Sequence, residues 1–351
     1  MEFLHEYGVF LAKTVTVVIA LLIIFAAAFS GAGKGGRTKK AQLKVEKLNE
    51  EIEETKRDME SHILDKEALK ALDKQDKKTD KQKKKEAKKA SKDAPIESRS
   101  RVYVLEFDGD IKASAVDTFR QAVSAVIQIA DPAKDKVLVK LESAGGMVHS
   151  YGLAAAQLDR LKKHELDLTV IVDKVAASGG YMMACVADKI VASPFAIMGS
   201  IGVVAQLPNF NKLLKKNDID YEVLTAGEFK RTLTMFGENT DKGRQKFQDD
   251  LEDTHELFKA YVAQRRPAVD IDKVATGDIW FGSRALEVNL VDELATSDEY
   301  IMQACNDADV YSVAYKEKQN LADKLGFAVS RGITQAITKI FSEVSVSKGM
   351  R

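Results

Sequence analysis

Val9–Phe29 is an almost unbroken apolar run, interrupted only by Lys13 and two threonines. About 20 apolar residues are enough to span a bilayer. The preceding Met1-Glu2-Phe3-Leu4-His5-Glu6 lacks the basic start of a cleaved secretory signal, so a retained anchor is expected. Polar sequence then takes over. Within Ala41–Leu72, Leu43, Leu48, Ile52, Met59, Ile63, Leu64, Leu69 and Leu72 recur mostly every three to five positions, which predicts an amphipathic helix. Asp73–Lys92 is dominated by lysine and has no apolar stripe. It reads as a disordered tether, with adhesion to anionic lipid headgroups as the sharper alternative.

From Arg99 the pattern becomes that of a packed domain. Arg101–Phe107, Val137–Leu141, Leu168–Val172 and Lys189–Ala192 are strand-like. Ser114–Ala130 and Val148–His164 have helical spacing, and an apolar helix-like run follows Ser178. This β-α alternation predicts a buried parallel sheet with helices on its faces. Ligands in such folds gather beyond the strand ends, where the glycine pairs 145–146 and 179–180 fall. Ser193–Gln206 reads as a loop of small and apolar residues, Phe210–Lys216 as a helix and Tyr221–Thr225 as a strand. Thr240–Arg266 is a long amphipathic helix stopped by Pro267, with Phe247, Leu251, Leu257, Phe258 and Tyr261 on its apolar side. Gly277–Leu294 holds another ordered unit, and Leu321–Phe341 is a helix or a surface segment.

Charge and composition narrow the function. The 351 residues carry 53 basic and 53 acidic side chains, a balance that argues against a nucleic-acid partner. Two cysteines make no disulfide framework, and Cys185 on the run after Ser178 reads as a core residue. The five histidines are scattered, and no HExxH or CxxC spacing exists, so no metal site is expected.

The candidate chemistry centres on Val175–Ala184, V-A-A-S-G-G-Y-M-M-A. Glycine allows a tight turn and a close approach of backbone N–H groups. A helix beginning after Ser178 would aim free N–H groups and a positive dipole end at its hydroxyl. The same letters also fit an ordinary N-cap followed by a packed helix. A serine nucleophile needs a base. No G-x-S-x-G elbow is present, and His149, the best-placed histidine, sits at a helix start where solvent or backbone contact suffices. Lysine can replace histidine where burial disfavours its ammonium. Lys230 follows a strand-like run and Ala226-Gly227, but composition alone leaves it one lysine among many.

Five segments together change the weights: L-E-S-A-G-G-M-V at Leu141–Val148, A-A-S-G-G-Y-M-M-A at Ala176–Ala184, M-G-S-I-G-V at Met198–Val203, G-E-F-K-R-T-L-T-M-F-G-E-N-T at Gly227–Thr240 and D-I-W-F-G-S-R-A-L-E-V-N-L-V-D-E-L at Asp278–Leu294. In order and spacing they resemble the signal-peptide-peptidase-A-like serine peptidases, most closely their SohB branch. The resemblance covers roughly residues 99–310. It implies an α/β fold of the ClpP/crotonase type, with Ser178 as nucleophile, Lys230 as general base and Ser200 as the serine that orients the lysine amine. It also implies an oxyanion hole formed by the N–H of Gly179 and one N–H of the Gly145-Gly146 loop. Two departures stand out. Ala144 occupies a place where the family usually has proline, and Asn289 one where it usually has glycine; asparagine tolerates the same left-handed conformation.

The expectation is therefore a membrane anchor over 1–33, a charged helical or disordered linker over 34–98, a peptidase domain over 99–310 and a C-terminal extension over 311–351. The protein is expected to be a serine endopeptidase of the bacterial inner membrane, held by residues 9–29 in the lipid. Its substrates would be extended, largely apolar peptides such as signal peptides or membrane-protein fragments. It would use no cofactor and, by resemblance, assemble as a homo-oligomer. The basic residues Lys34–Lys47 place the catalytic domain in the cytoplasm by the positive-inside rule, whereas the resemblance implies the periplasmic side. The rival readings are a crotonase-like acyl-CoA enzyme and a catalytically silent membrane scaffold.

Overall fold

Alternate residues of the central strands face opposite layers, and this alternation builds the core. A computed structural model describes residues 41–72 and 99–317, with isolated positions at 11, 14, 15, 74, 78 and 81. Leu43–Tyr315 forms one compact unit; a second comprises Met1–Gln42 and Lys316–Arg351. In β2 (Arg101–Gly109), Tyr103, Leu105 and Phe107 enter one apolar cluster, while Val102 and Val104 enter the other. In β3 (Lys136–Ser143), Val137, Val139 and Leu141 face the first cluster and Leu138 the second. A strand buried on both faces needs this near-continuous apolar sequence.

β4 (Asp167–Val172) and β6 (Lys189–Ala192) extend the sheet on one side in parallel register. β10 (Asp309–Glu317) lies parallel to β2 on the other. The main order is β1-β10-β2-β3-β4-β6-β9, with β1 at Ala41–Lys47 and β9 at Glu293–Leu294. A short second row branches from β3. β5 (Val175–Ala177) pairs with β3 and with β7 (Ile197–Gly199), and β7 pairs antiparallel with β8 (Ile279–Phe281).

α1 (Leu48–Ile63) opens the helical series. Three helices, α2 (Val116–Ile129), α3 (Val148–Lys163) and α4 (Gly179–Ala184), bury their apolar sides in the first cluster. α5 (Asn211–Lys216) stands apart from either cluster. The long α6 (Asp241–Arg265) adds Phe258 and Val262 to the first cluster, with the Thr240 side chain capping its start by accepting the Gly243 N–H. α7 (Ile271–Val274) and α8 (Gly282–Glu287) follow. α9 (Ser297–Asp307) covers the second cluster through Tyr300, Ile301 and Ala304.

The predicted parallel α/β sheet is present, and three local expectations are corrected. Residues 41–47 form strand β1, so the helix expected over Ala41–Leu72 begins at Leu48. The Asn49 side chain fastens that helix start to the core: its amide donates to the carbonyls of Cys305 and Ala308, and its oxygen accepts the Val310 N–H. Tyr221–Thr225 is not a strand: it has no ladder partner and its residues are exposed. The loop expected over Ser193–Gln206 contains β7. No helix among the described residues is long and apolar enough to cross a membrane. The expected span at 9–29 lies almost wholly outside the described residues, as do most of the lysine-rich tether and the segment Leu321–Phe341.

Candidate active site

The carboxyl ends of β2, β3, β5 and β7 converge on one edge of the sheet and carry the predicted motifs. Ser178 forms the turn between β5 and α4. Its backbone adopts φ 52° and ψ −120°, a conformation costly for a residue with a Cβ and of the kind that concentrates at functional turns. The surrounding ladder enforces it: the Ser178 N–H donates to the Gly199 carbonyl at 2.8 Å, and the Ser178 carbonyl accepts the Met182 N–H at 2.9 Å. Among the described residues the Ser178 hydroxyl has no hydrogen-bond partner. The turn is thus not a side-chain N-cap.

Parallel pairing of Ala177 with Gly199 brings Ser200 alongside Ser178 on the next strand end. Ser200 also has a positive φ, 50°, and its N–H donates to the Asp278 carbonyl at 2.8 Å. The glycine loop arrives from β3. Gly145 has φ 88°, and a Cβ built there would lie 2.7 Å from both Gly179 N and Ser178 Cβ. The two motifs are therefore in direct backbone contact, and only glycine fits between them. The Gly145 N–H donates to Ser143 Oγ at 3.0 Å. Of the loop pair this leaves the N–H of Gly146, and at the start of α4 that of Gly179, without a partner among the described residues.

A cleft of about 210 Å³ opens beside Ser178. Gly146, Gly152 and Gly179 line it together with Val148, Met182, Val203, Leu257, Phe258 and Tyr261. A cleft of this lining has room for a large apolar side chain. Its floor is anchored through α6. Arg265 bonds Asp159 through two oxygens at 3.1 and 2.9 Å and stacks 3.5 Å over the Tyr261 ring. Arg266, nearly buried, pairs in fork geometry with Asp292 at 2.8 and 2.7 Å. Burial disfavours the charged form of Asp292, but the Arg266 hydrogen bonds and the Ile190 N–H outweigh it and hold the carboxyl below its ordinary range.

Lys230 does not line this cleft. It is exposed, on an arm of residues 203–239 in which nearly every side chain meets solvent. The arm leaves the sheet edge and packs little of itself, so nothing among the described residues covers the amine. Ser200 is half-buried and also outside the cleft lining. The structure thus brings together Ser178, Gly145, Gly146, Gly179 and Ser200, and leaves Lys230 out.

Among the described residues no histidine hydrogen-bonds the Ser178 hydroxyl. His149 is exposed, and His255 Nε2 lies 3.2 Å from the Ile201 carbonyl. Cys185 is fully buried, and burial pushes its thiol up to about 12, consistent with a core residue rather than a nucleophile. Among the described residues no group of His, Cys, Asp or Glu side chains is arranged to hold a metal ion. Asn289 has φ 61°, so the left-handed turn expected there is present. The sequence reading missed Tyr151, whose ring lies directly beneath Gly179: a Cβ built on that glycine would be 2.4 Å from Tyr151 Cγ. Its helical position marks it only as a core aromatic.

Comparison with known proteins gives a consistent family signal. The N-terminal pattern of peptidase family S49 matches residues 2–158, and the main family S49 pattern matches residues 160–311. A probable protease SohB of Haemophilus influenzae is 49% identical over 328 residues, covering 93% of this chain and 92% of that protein. A probable protease SohB of Buchnera aphidicola subsp. Schizaphis graminum is 44% identical over 344 residues, covering 97% and 98%.

Proposed function

The chain belongs to peptidase family S49, and from that premise we propose that it is a membrane-anchored serine endopeptidase of the ClpP/crotonase-like fold. Ser178 is the nucleophile, Lys230 the general base and Ser200 the residue that orients the lysine amine. The observation that carries the reading is the strained strand-to-helix turn at Ser178. Its hydroxyl is unpaired among the described residues, and the free N–H groups of Gly146 and Gly179 flank it beside an apolar cleft.

Ser178 Oγ attacks a peptide carbonyl, and its proton passes to the neutral lysine amine. The two N–H donors stabilise the oxyanion that develops; each such donor is worth about 10²–10³ in rate. The lysine then returns the proton to the leaving amine, and water hydrolyses the acyl-enzyme. Substrates are extended apolar peptides, such as signal peptides or membrane-protein fragments, with one large side chain in the cleft.

The exposed arm supports a homo-oligomer. Val204 is 80% and Leu224 90% exposed. A neighbouring copy that covers this surface would bury the arm and bring the amine into a drier site, where the ammonium is disfavoured.

In this reading residues 1–33 act as anchor in the bacterial inner membrane and 99–310 as the peptidase domain; β1 and α1 of the 34–98 linker, and β10 running into the 311–351 extension, join that domain's sheet and core. Protease digestion of oriented vesicles decides which side carries the domain. The catalytic reading is tested by hydrolysis of an unstructured apolar peptide and by labelling with a serine-reactive inhibitor. Ser178→Ala and Lys230→Ala should each abolish hydrolysis with assembly intact, and the adduct should form on Ser178. Full activity in a folded Ser178→Ala protein refutes it.

A further inference from the structure

The two N–H groups flanking Ser178 belong to different segments, and something must set the distance between them. Accepting Ser178 as the nucleophile, we propose that Tyr151 and Ser143 are positioning residues for the oxyanion donors. They act through a buried hydrogen-bond relay that runs from the Gly145 N–H through Ser143 Oγ and Tyr151 Oη to the Asp110 carbonyl.

The donor directions follow from the partners. The Tyr151 hydroxyl donates to the Asp110 carbonyl at 2.7 Å. Its oxygen is then free to accept, and Ser143 Oγ donates to it at 2.5 Å. Ser143 Oγ in turn accepts the Gly145 N–H at 3.0 Å. The Ser143 hydroxyl has a second, longer acceptor in the Gly109 carbonyl at 3.3 Å, so every hydrogen of the relay is satisfied in a place where Ser143 is 2% and Tyr151 0% exposed. Buried hydroxyls are tolerated when satisfied in this way and costly when they are not. Burial also raises the Tyr151 phenol above its ordinary range, opposed by the Ser143 hydrogen bond, so it remains a protonated donor.

The relay anchors the glycine loop at one point, and the Met147 N–H anchors it at a second by donating to the Ile111 carbonyl at 2.9 Å. Both anchors end on the same turn after β2, at Asp110 and Ile111. Gly146 is held between them with its face on the cleft. The other donor rests on the same tyrosine, because the Tyr151 ring packs against Gly179 with no room for a Cβ. Tyr151 therefore touches both halves of the donor pair, the loop through its hydroxyl and the helix start through its ring. A phenylalanine would fill the ring's space, keep its packing on Phe107 and hold only the second half.

Tyr151→Phe and Ser143→Ala each remove one link without removing a group that meets substrate. Both folded variants should lose about tenfold in kcat on an apolar peptide, with KM within about twofold, because the donors act on the transition state and not on bound substrate. The affinity for a peptide aldehyde, which forms a tetrahedral adduct on the serine, should fall by about the same factor. The double variant should lose no more than the worse single, since both break one relay. Values of kcat within twofold of the parent in both variants, a loss confined to KM, or losses that multiply in the double variant each overturn the proposal. Ser178→Ala runs beside them. If that variant stays active, the nucleophile reading fails and the relay falls with it. If it is dead while both relay variants keep full kcat, the relay alone fails.

Discussion

Adding one methyl group at Gly145 should separate catalysis from substrate binding. The new Cβ would sit 2.7 Å from Gly179 N and Ser178 Cβ and 2.8 Å from the Ala177 carbonyl. All three neighbours are held by the sheet or the helix start, so the loop must retreat. The φ of 88° adds a left-handed penalty of about 1–2 kcal/mol for alanine. For a domain of this size that lowers Tm by about 2–8 °C. On the proposed reading the larger effect falls on the oxyanion donors. Losing one commonly costs about 2.7–4 kcal/mol, or 10²–10³ in kcat, and a retreating loop carries Gly146 with it. The cleft wall of Met182, Val203, Leu257, Phe258 and Tyr261 comes from other segments, so KM should stay within about threefold. The assay is steady-state hydrolysis of a fluorogenic apolar peptide, with a thermal melt on the same sample. Gly152→Ala is the matched control: its added methyl meets nothing within 4 Å, and Gly→Ala in a helix stabilises by roughly 0.5–1 kcal/mol. The reasoning is refuted if Gly145→Ala keeps kcat within threefold of the parent, or if Gly152→Ala loses as much.

Gly152 lines the cleft, so Gly152→Leu should fill it and raise KM at least about tenfold for peptides carrying leucine or phenylalanine near the scissile bond, leaving alanine peptides little changed; a ratio of kcat/KM values reads this. Asp292→Asn should destabilise the fold by about 3 kcal/mol, because it leaves the nearly buried Arg266 without its counter-charge. The Asp292 carboxyl is held below its ordinary range in the fold. Its contribution is therefore complete above the unfolded value near ~4 and is lost as pH falls through the folded value. Thermal melts of the parent should drop in that acid window more steeply than those of Asp292→Asn. Iodoacetamide should leave Cys185 unlabelled in the native protein at pH 8, since burial pushes its thiol up to about 12, and Cys185→Ala should keep full activity. If neighbouring copies share a site, mixing inactive Ser178→Ala and Lys230→Ala proteins should restore part of the activity, with no recovery expected if both groups must come from one chain.

The sequence made the central sheet legible because its strands are buried on both faces. Val137–Leu141 and Leu168–Val172 are apolar runs with little competing pattern, and their edges were read to within a few residues. The second row of strands was invisible for the opposite reason. β5, β7 and β8 are three residues each, too short to show a period of two, and only their pairing defines them. β1 carries Leu43, the first of the helically spaced apolar positions, but the sheet edge beside β10 recruits it. At the candidate site, the meeting of the two glycine motifs followed from strand ends on one edge. Tyr151 could not be foreseen, since its role depends on a hydroxyl 2.5 Å from Ser143, which no local pattern encodes.

The division between Ser178 and Lys230 has a physical rationale on the proposed reading. A strained turn and two aimed N–H groups need a rigid setting, and the carboxyl edge of a buried sheet provides one: Ala176, Gly179 and Tyr181 around the turn are all buried. A lysine base needs a different environment, one from which water is removed without a carboxylate to hold its charge. No acidic side chain pairs with the Lys230 ammonium among the described residues, and neighbouring Glu228 is instead taken by Lys242. The arm that carries Lys230 also bears exposed Val223, Leu224, Phe229 and Phe236. Covering that apolar surface and drying the amine are then one event. An isolated copy would hold a formed nucleophile and donor pair with no base, and hydrolysis would begin only where a partner surface closes over the arm.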